Sequence, residues 1–352
     1  MKLAKKSYCF GFLFLSLVFL LHCFAVVDVA EAKRPKYLFK VASLAPEGSI
    51  WAQRFNQFAQ EVKEKSGGEV GFRVYPGGVM GDDRSMFRKI KIGQLQGAGF
   101  TMTGIGEIVP DFRVMGIPYI FQSYDEVDEV LGKLVPRYVE AFAEKNLALV
   151  AMTEVGFIYT MSTVSISTIE DLRKCKCWAP EGDPVSIDFM KAVGISPVPL
   201  SLPDVLVSLQ TGMVNTVFNG YYGSIILQWF TKIKYITDAP FAYAYGSLVF
   251  DKKALDRLPE GHLAIMRAAA GKYFSGKLKD DTRRTNVEAL KTLKVNGISV
   301  VPVDPAAKPI LIKLRDQVVA KSGGKYFSTE IYNEMMLILE NYRKSHPCDH
   351  TE

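Results

Sequence analysis

Catalysis and metal binding need nucleophiles, acids, bases or ligands at set spacings, and this chain offers few. Beyond His22, its histidines are His262, His346 and His350. His262 falls at an expected helix start and reads as a surface residue. His346, Cys348 and His350 crowd into one short stretch near the C-terminus. Such spacing rarely closes a tetrahedral metal site, and chain ends fray. Asp82-Asp83 reads as a helix cap rather than a metal or catalytic pair. Gly67-Gly68 and Gly77-Gly78 read as turns, and no phosphate-loop spacing follows them. No nucleophile elbow and no Cys/His pairing pattern is present. The expectation is therefore a non-enzyme with no cofactor and no metal.

The aromatic residues are more informative. Phe157, Tyr159, Trp178, Phe218, Tyr221 and Tyr222 all fall on expected strands or just after them. One aromatic in such a place is ordinarily core. Several together fit an apolar pocket that stacks on a small-molecule ligand.

The elements that must position these residues centre on Cys175–Pro184. Cys175, Cys177 and Ala179 alternate with Lys176 and Trp178, the period of a strand. Pro180 and Gly182 break it, and Asp183 caps a helix with Pro184 in its first turn. Trp178 is thus expected at the carboxyl end of a strand beside a helix start, where open α/β sheets place ligands. Upstream, Tyr37–Leu44, a helix carrying Trp51, Phe55, Phe58 and Val62, and a strand over 70–74 make a βαβ unit. Further strands are expected at Gly97–Met102, Leu147–Thr153, Phe157–Ser162, Pro197–Leu200, Val214–Phe218, Ala242–Phe250 and Ile298–Val303. Between them, Ser123 opens a helix to about Lys133, with a second over about 136–145. A helical pattern runs from about 260 to 294, and two more helices, about 306–320 and 328–344, finish the chain.

The chain has 352 residues, is 48% apolar and carries a net charge of +6. That length suits two domains. Lys and Arg are scattered among Asp and Glu, which argues against a nucleic-acid surface. Residues 1–32 read as a signal peptide: Lys2, Lys5 and Lys6, an apolar run from about Tyr8 to Val27, then Ala30-Glu31-Ala32 as a cleavage site. The alternative is an uncleaved membrane anchor. Export would leave Cys175, Cys177 and Cys348. The first two point to one strand face about 6–7 Å apart, so a mutual disulfide would need distortion, and buried free thiols are expected.

Five segments in one register resemble a known family. They are Tyr75–Met86 (YPGGVMGDDRSM), Ile117–Phe121 (IPYIF), Glu170–Leu172 (EDL), Pro197–Pro199 (PVP) and Ser208–Val214 (SLQTGMV). Together they look like the solute-binding subunit of TRAP (tripartite ATP-independent periplasmic) transporters, the DctP-like family, over roughly 38–320. The resemblance implies an α/β, two-lobed periplasmic binding protein with the ligand cleft between its lobes and long C-terminal helices. It implies no enzyme activity, a periplasmic location and delivery of the ligand to TRAP membrane permease subunits. The implied lobes are 33–155 with about 245–285, and 156–244 with about 286–352.

The family's usual ligand clamp is an arginine that grips a carboxylate with both arms. The matching position here is Trp178, and a second family arginine falls near Ile158. The resemblance therefore implies a variant for a small apolar or aromatic ligand, a subset sometimes served by a periplasmic tetratricopeptide-repeat partner. Asn219, Asp83 and Glu181 match family positions that face the ligand, and Leu202 replaces a family aromatic. Trp178 would stack on the ligand, Phe157, Tyr221 and Tyr222 would line the pocket, and Pro46 and Glu47 would reach in from the opposite lobe. An amine-bearing ligand fits Glu181 and Asp183. The alternatives are an organic acid held by Arg73, Arg84 or Arg113, and a periplasmic interaction or sensing module.

Overall fold

The computed structural model describes residues 34–322 and 324–347. The expected signal peptide, Cys348 and His350 lie outside the described residues.

The chain begins with the expected βαβ unit. β1 (Tyr37–Ser43) and β2 (Val70–Tyr75) pair in parallel, with the helix Ile50–Lys65 crossing between them. Ser49 caps that helix by accepting a bond from the Ala52 amide. Phe55, Phe58 and Val62 face inward, and Phe58 meets Phe72 of β2 at 5.3 Å between ring centres. β3 (Gly97–Thr101) lies beside β1, between it and β8 (Tyr235–Asp251). A Cβ on Gly97 would come within 2.7 Å of the Phe250 ring, so only glycine allows this approach.

Two strands run through both halves of the molecule. β4 (Leu147–Ser162) pairs antiparallel with β8 along nearly its whole length. At one end β8 also pairs with β3. At the other end β4 pairs with β7 (Thr216–Asn219), and β8 with β9 (Ser299–Val301). β5 (Trp178–Pro180) and β6 (Val198–Leu200) form a parallel pair, tied to β7 by a bridge between Cys177 and Thr216. The result is an α/β fold of two lobes strung on β4 and β8. Cys175 and Cys177 are free and buried in the second lobe.

Several sequence expectations change in three dimensions. Leu147–Thr153 and Phe157–Ser162 are one strand, because the register shift at Glu154–Gly156 is absorbed by Gly156 at φ +96°. The helix opened by Ser123 does not stop near Lys133 but runs as Tyr124–Glu144 with Pro136 inside. Its buried stripe of Val130, Leu134, Tyr138 and Phe142 is continuous, and that packing offsets the bond lost at Pro136. The strand expected over 175–179 shrinks to Trp178–Pro180. The sequence assigns both final helices to the second lobe. Ala307–Ser322 packs on Pro184–Val193 there, whereas Thr329–Ser345 packs on Tyr124–Glu144. Ile331, Met335 and Leu339, spaced four apart, form a stripe that packs in one core with Val127, Val130 and Leu134.

One helical run, Glu260–Val295, crosses from lobe to lobe, with a π-helical stretch at Gly271–Leu278. Met266, Ala269 and Phe274 pack with β1, while Ala289 and Leu293 pack with β7. Arg283 on this run binds Glu154 on β4, with Nε to Oε1 at 3.0 Å and Nη2 to Oε2 at 2.9 Å. Glu154 is 7% exposed. Replacing Arg283 by Met leaves that carboxylate buried and uncompensated. It is expected to cost about 3–5 kcal/mol of stability in urea unfolding, and the double variant Arg283→Met, Glu154→Gln to recover most of it.

Candidate functional site

A cavity of about 260 Å³ opens between the lobes. Its walls come from the loops at the carboxyl ends of β1, β3 and β5, from the end of β7, and from the middle of β4 and β8. This is where a parallel α/β sheet leaves room for a ligand, because its loops and helix starts converge there. Most of the wall is apolar, including Trp51, Phe100, Ile158, Trp178, Leu200 and Phe218.

The charge is concentrated at one end. Asp82, Asp83, Glu107, Glu181 and Asp183 line the cavity together with a single guanidinium, Arg84. Arg84 stands on the helix Asp83–Lys91, which Asp82 caps through the Ser85 amide. Its Nε and Nη2 both bond to the Glu107 carboxylate, the former at 2.7 Å. Its Nη1 reaches across to Glu181 of the second lobe at 2.5 Å. The bonds to Glu107 hold the guanidinium even more firmly protonated than usual. Asp83 accepts bonds from the Thr101 hydroxyl at 2.7 Å and the Thr101 amide at 3.2 Å. A Cβ on Gly104 would run into this carboxyl, so glycine is required there. Burial pushes the Asp83 carboxyl up to about 7 against the pull of Thr101, and Asp82 and Glu107 push the same way.

Of the residues expected from sequence, Trp178, Glu181, Asn219 and Asp83 meet at this cavity. Trp178 is only 5% exposed. Its indole N–H donates to the Leu200 carbonyl at 3.0 Å, and its ring meets Trp229 edge-on at 5.3 Å. It thus offers a ring surface and no spare donor. Asn219 uses Oδ1 to accept from the Gly220 amide at 2.8 Å. A Cβ on Gly223 would run into the Asn219 amide, so this contact also requires glycine.

The other expected residues stand elsewhere. Phe157 packs edge-on against Tyr124 at 4.8 Å, in the core of the first lobe. Tyr221 stacks on Tyr159 at 4.1 Å. Tyr222 lies against Trp51, and its hydroxyl accepts from the Ile50 amide at 3.0 Å. These three sit on the right elements but face packing partners. Glu47 is exposed in the loop before the first helix and is not among the lining residues, although Pro46 is.

Among the alternative cations, Arg73 is exposed over the Tyr75 ring. Arg113 is buried behind the wall, reaching the carbonyls of Tyr326 at 3.4 Å and Gly182 at 3.5 Å. Only Arg84 of the three lines the cavity. Sequence reasoning missed Glu107 and Thr101. Their signal was position alone: Thr101 is the last residue of β3 and Glu107 lies shortly after it.

Residues 41–324 match the family model described as bacterial extracellular solute-binding protein, family 7 (DctP). A solute-binding protein of Chromohalobacter salexigens is 31% identical over 166 residues, which cover 47% of this chain and 49% of that one. The fold superposes on a TRAP periplasmic solute-binding protein from Desulfovibrio salexigens with bound orotic acid, at a TM-score of 0.79 and 20% identity, covering 87% of this chain and 99% of that one. It also matches the sugar acid binding protein DctPAm of Advenella mimigardefordensis in complex with galactonate, at a TM-score of 0.81 and 18% identity, covering 88% of this chain and 99% of that one. The cavity therefore belongs to a solute receptor rather than an enzyme, and the chain is a member of the DctP family, the TRAP-type extracellular solute-binding proteins of family 7.

Proposed function

We propose that this receptor captures an organic acid in the periplasm, with the ligand carboxylate on Arg84, and hands it to TRAP permease subunits. The family resemblance implies an apolar or aromatic ligand, because Trp178 stands where the family's usual arginine falls. Two observations move the reading. The structural neighbours named above hold acids, orotic acid and galactonate. The cavity wall also carries a guanidinium on a different element, Arg84. That guanidinium is the observation that carries the proposal. Its bond to Glu181 is exchangeable, because the two side chains are 43% and 42% exposed and such pairs contribute only about 0–1 kcal/mol. Trp178, Leu200 and Phe218 then suit the carbon skeleton of the acid. Export through residues 1–32 belongs to the same reading.

Closure would be a hinge motion of one lobe against the other. We place the boundary between Thr153 and Tyr159 on β4 and near Tyr245 on β8. There β3 pairing ends and β7 pairing begins. Ligand contacts from both lobes would then favour the closed population.

Calorimetry with a panel of aliphatic, aromatic and sugar acids tests this. Arg84→Gln is expected to weaken the acid that binds best by about 10- to 100-fold, the loss of a charge-assisted bond. Unchanged affinity would sink the proposal.

The raised Asp83 carboxyl gives a second expectation. Ionised Asp83 adds a negative charge beside Arg84 and opposes an anion. At pH 8 it is mostly ionised, and near pH 6 mostly protonated, given its value of about 7. Acid affinity should therefore rise as pH falls from about 8 to 6. Asp83→Asn should flatten that slope, with calorimetry at each pH as the readout.

A further inference from the structure

The proposed clamp is not empty. Glu107, from the same lobe as Arg84, occupies Nε and Nη2, leaving one arm of the fork. Glu181, from the turn after β5 in the other lobe, holds that arm at 2.5 Å. Glu181 is also the more exposed partner, 42% against 28% for Glu107. Its position lets it swing into solvent without leaving a buried charge behind. The second guanidinium nearby, Arg113, is turned toward backbone carbonyls and does not line the cavity.

Resting on the organic-acid reading, we propose that Glu181 is the specificity gate of this site: as an internal carboxylate on the free arm of Arg84, it yields to monocarboxylic acids and excludes dicarboxylic ones. A monoacid exchanges one carboxylate for another on Nη1, so the charge paired with Arg84 is unchanged. A diacid brings a second negative charge. Among the lining residues no other cation meets it, and Glu107, with Asp83 and Asp183 when they are ionised, repels it. The apolar wall of Trp178, Leu200 and Phe218 offers a carboxylate no donor, and the hydroxyls and amide elsewhere in the lining, such as Thr103 and Asn219, carry no positive charge to balance it. Rejection by like charges is a common route to selectivity between otherwise similar ligands.

The test is calorimetry on the exported chain with matched pairs: valerate and glutarate, gluconate and glucarate, benzoate and phthalate. Wild type, Glu181→Gln and Arg84→Gln are compared, each shown to be folded by its melting curve. In wild type the monoacid of a binding pair should be tighter than its diacid by about ten-fold or more. Glu181→Gln should tighten the monoacid by about two- to five-fold, the worth of an exposed ion pair, and narrow the gap to the diacid. A diacid that binds as well as its monoacid overturns the proposal, as does a Glu181→Gln variant that binds the monoacid no better or more weakly, since Glu181 would then be no competitor. Those results leave the organic-acid reading intact as long as Arg84→Gln loses affinity. If Arg84→Gln binds like wild type, or none of the acids binds, both readings fall together.

Discussion

The contact between Glu154 and Arg283 sits at one of the register shifts between the two long strands. At the bulge between Glu154 and Gly156, β4 cannot bond all its backbone to β8. The loose carbonyls are taken up by side chains: Trp51 Nε1 donates to Glu154 O at 2.8 Å, and Asn286 Nδ2 to Val155 O at 3.1 Å. A buried carbonyl left without such a donor would cost as much as a lost hydrogen bond. The Glu154 carboxylate itself accepts from Arg283 and, at 3.0 Å, from the Tyr243 hydroxyl. Arg283 passes on to Asp128 and lies over the Tyr124 ring at 4.3 Å. The first helix, the Tyr124 helix, the Glu260–Val295 run and both long strands therefore meet at one ionic knot. The cavity walls on either side are positioned relative to it.

That knot also explains why the crossover can be irregular and still ordered. A bulge weakens the ladder and sharpens the local twist. Here the side-chain bonds replace backbone ones missing at the bulge. Trp51 both secures the bulge and lines the cavity. Trp51 thus joins the bulge directly to the cavity wall.

The cavity is built on an exchange of chemistry between positions. Trp178 fills the place where the resemblance puts an arginine, and its N–H is tied to the β6 strand beside it. A cation stands instead on Arg84, between carboxylates from both lobes. A guanidinium held this way costs little to retain, because it is still 43% exposed to solvent and its charge is paired.

The order of strands and helices was legible in the sequence because period and punctuation are local: alternation in β2, the four-three-four spacing of Trp51, Phe55, Phe58 and Val62, the caps at Ser49 and Asp82. Trp178 was legible as a cavity residue from its expected place beside a strand end and a helix start, whereas Asn219 and Asp83 were legible only through the resemblance. The sequence could not tell whether Phe157, Tyr221 and Tyr222 turn toward a ligand or into the core, since an aromatic suits both and only its neighbours choose. It could not show that β4 passes unbroken through Gly156, nor that Pro136 lies inside a helix, because both depend on packing that offsets a local cost. Nor could it select Arg84 over Arg73 and Arg113. Spacing along the chain says nothing of which guanidinium meets Glu107 and Glu181, residues 23 and 97 positions away, and the tertiary fold alone brings them together.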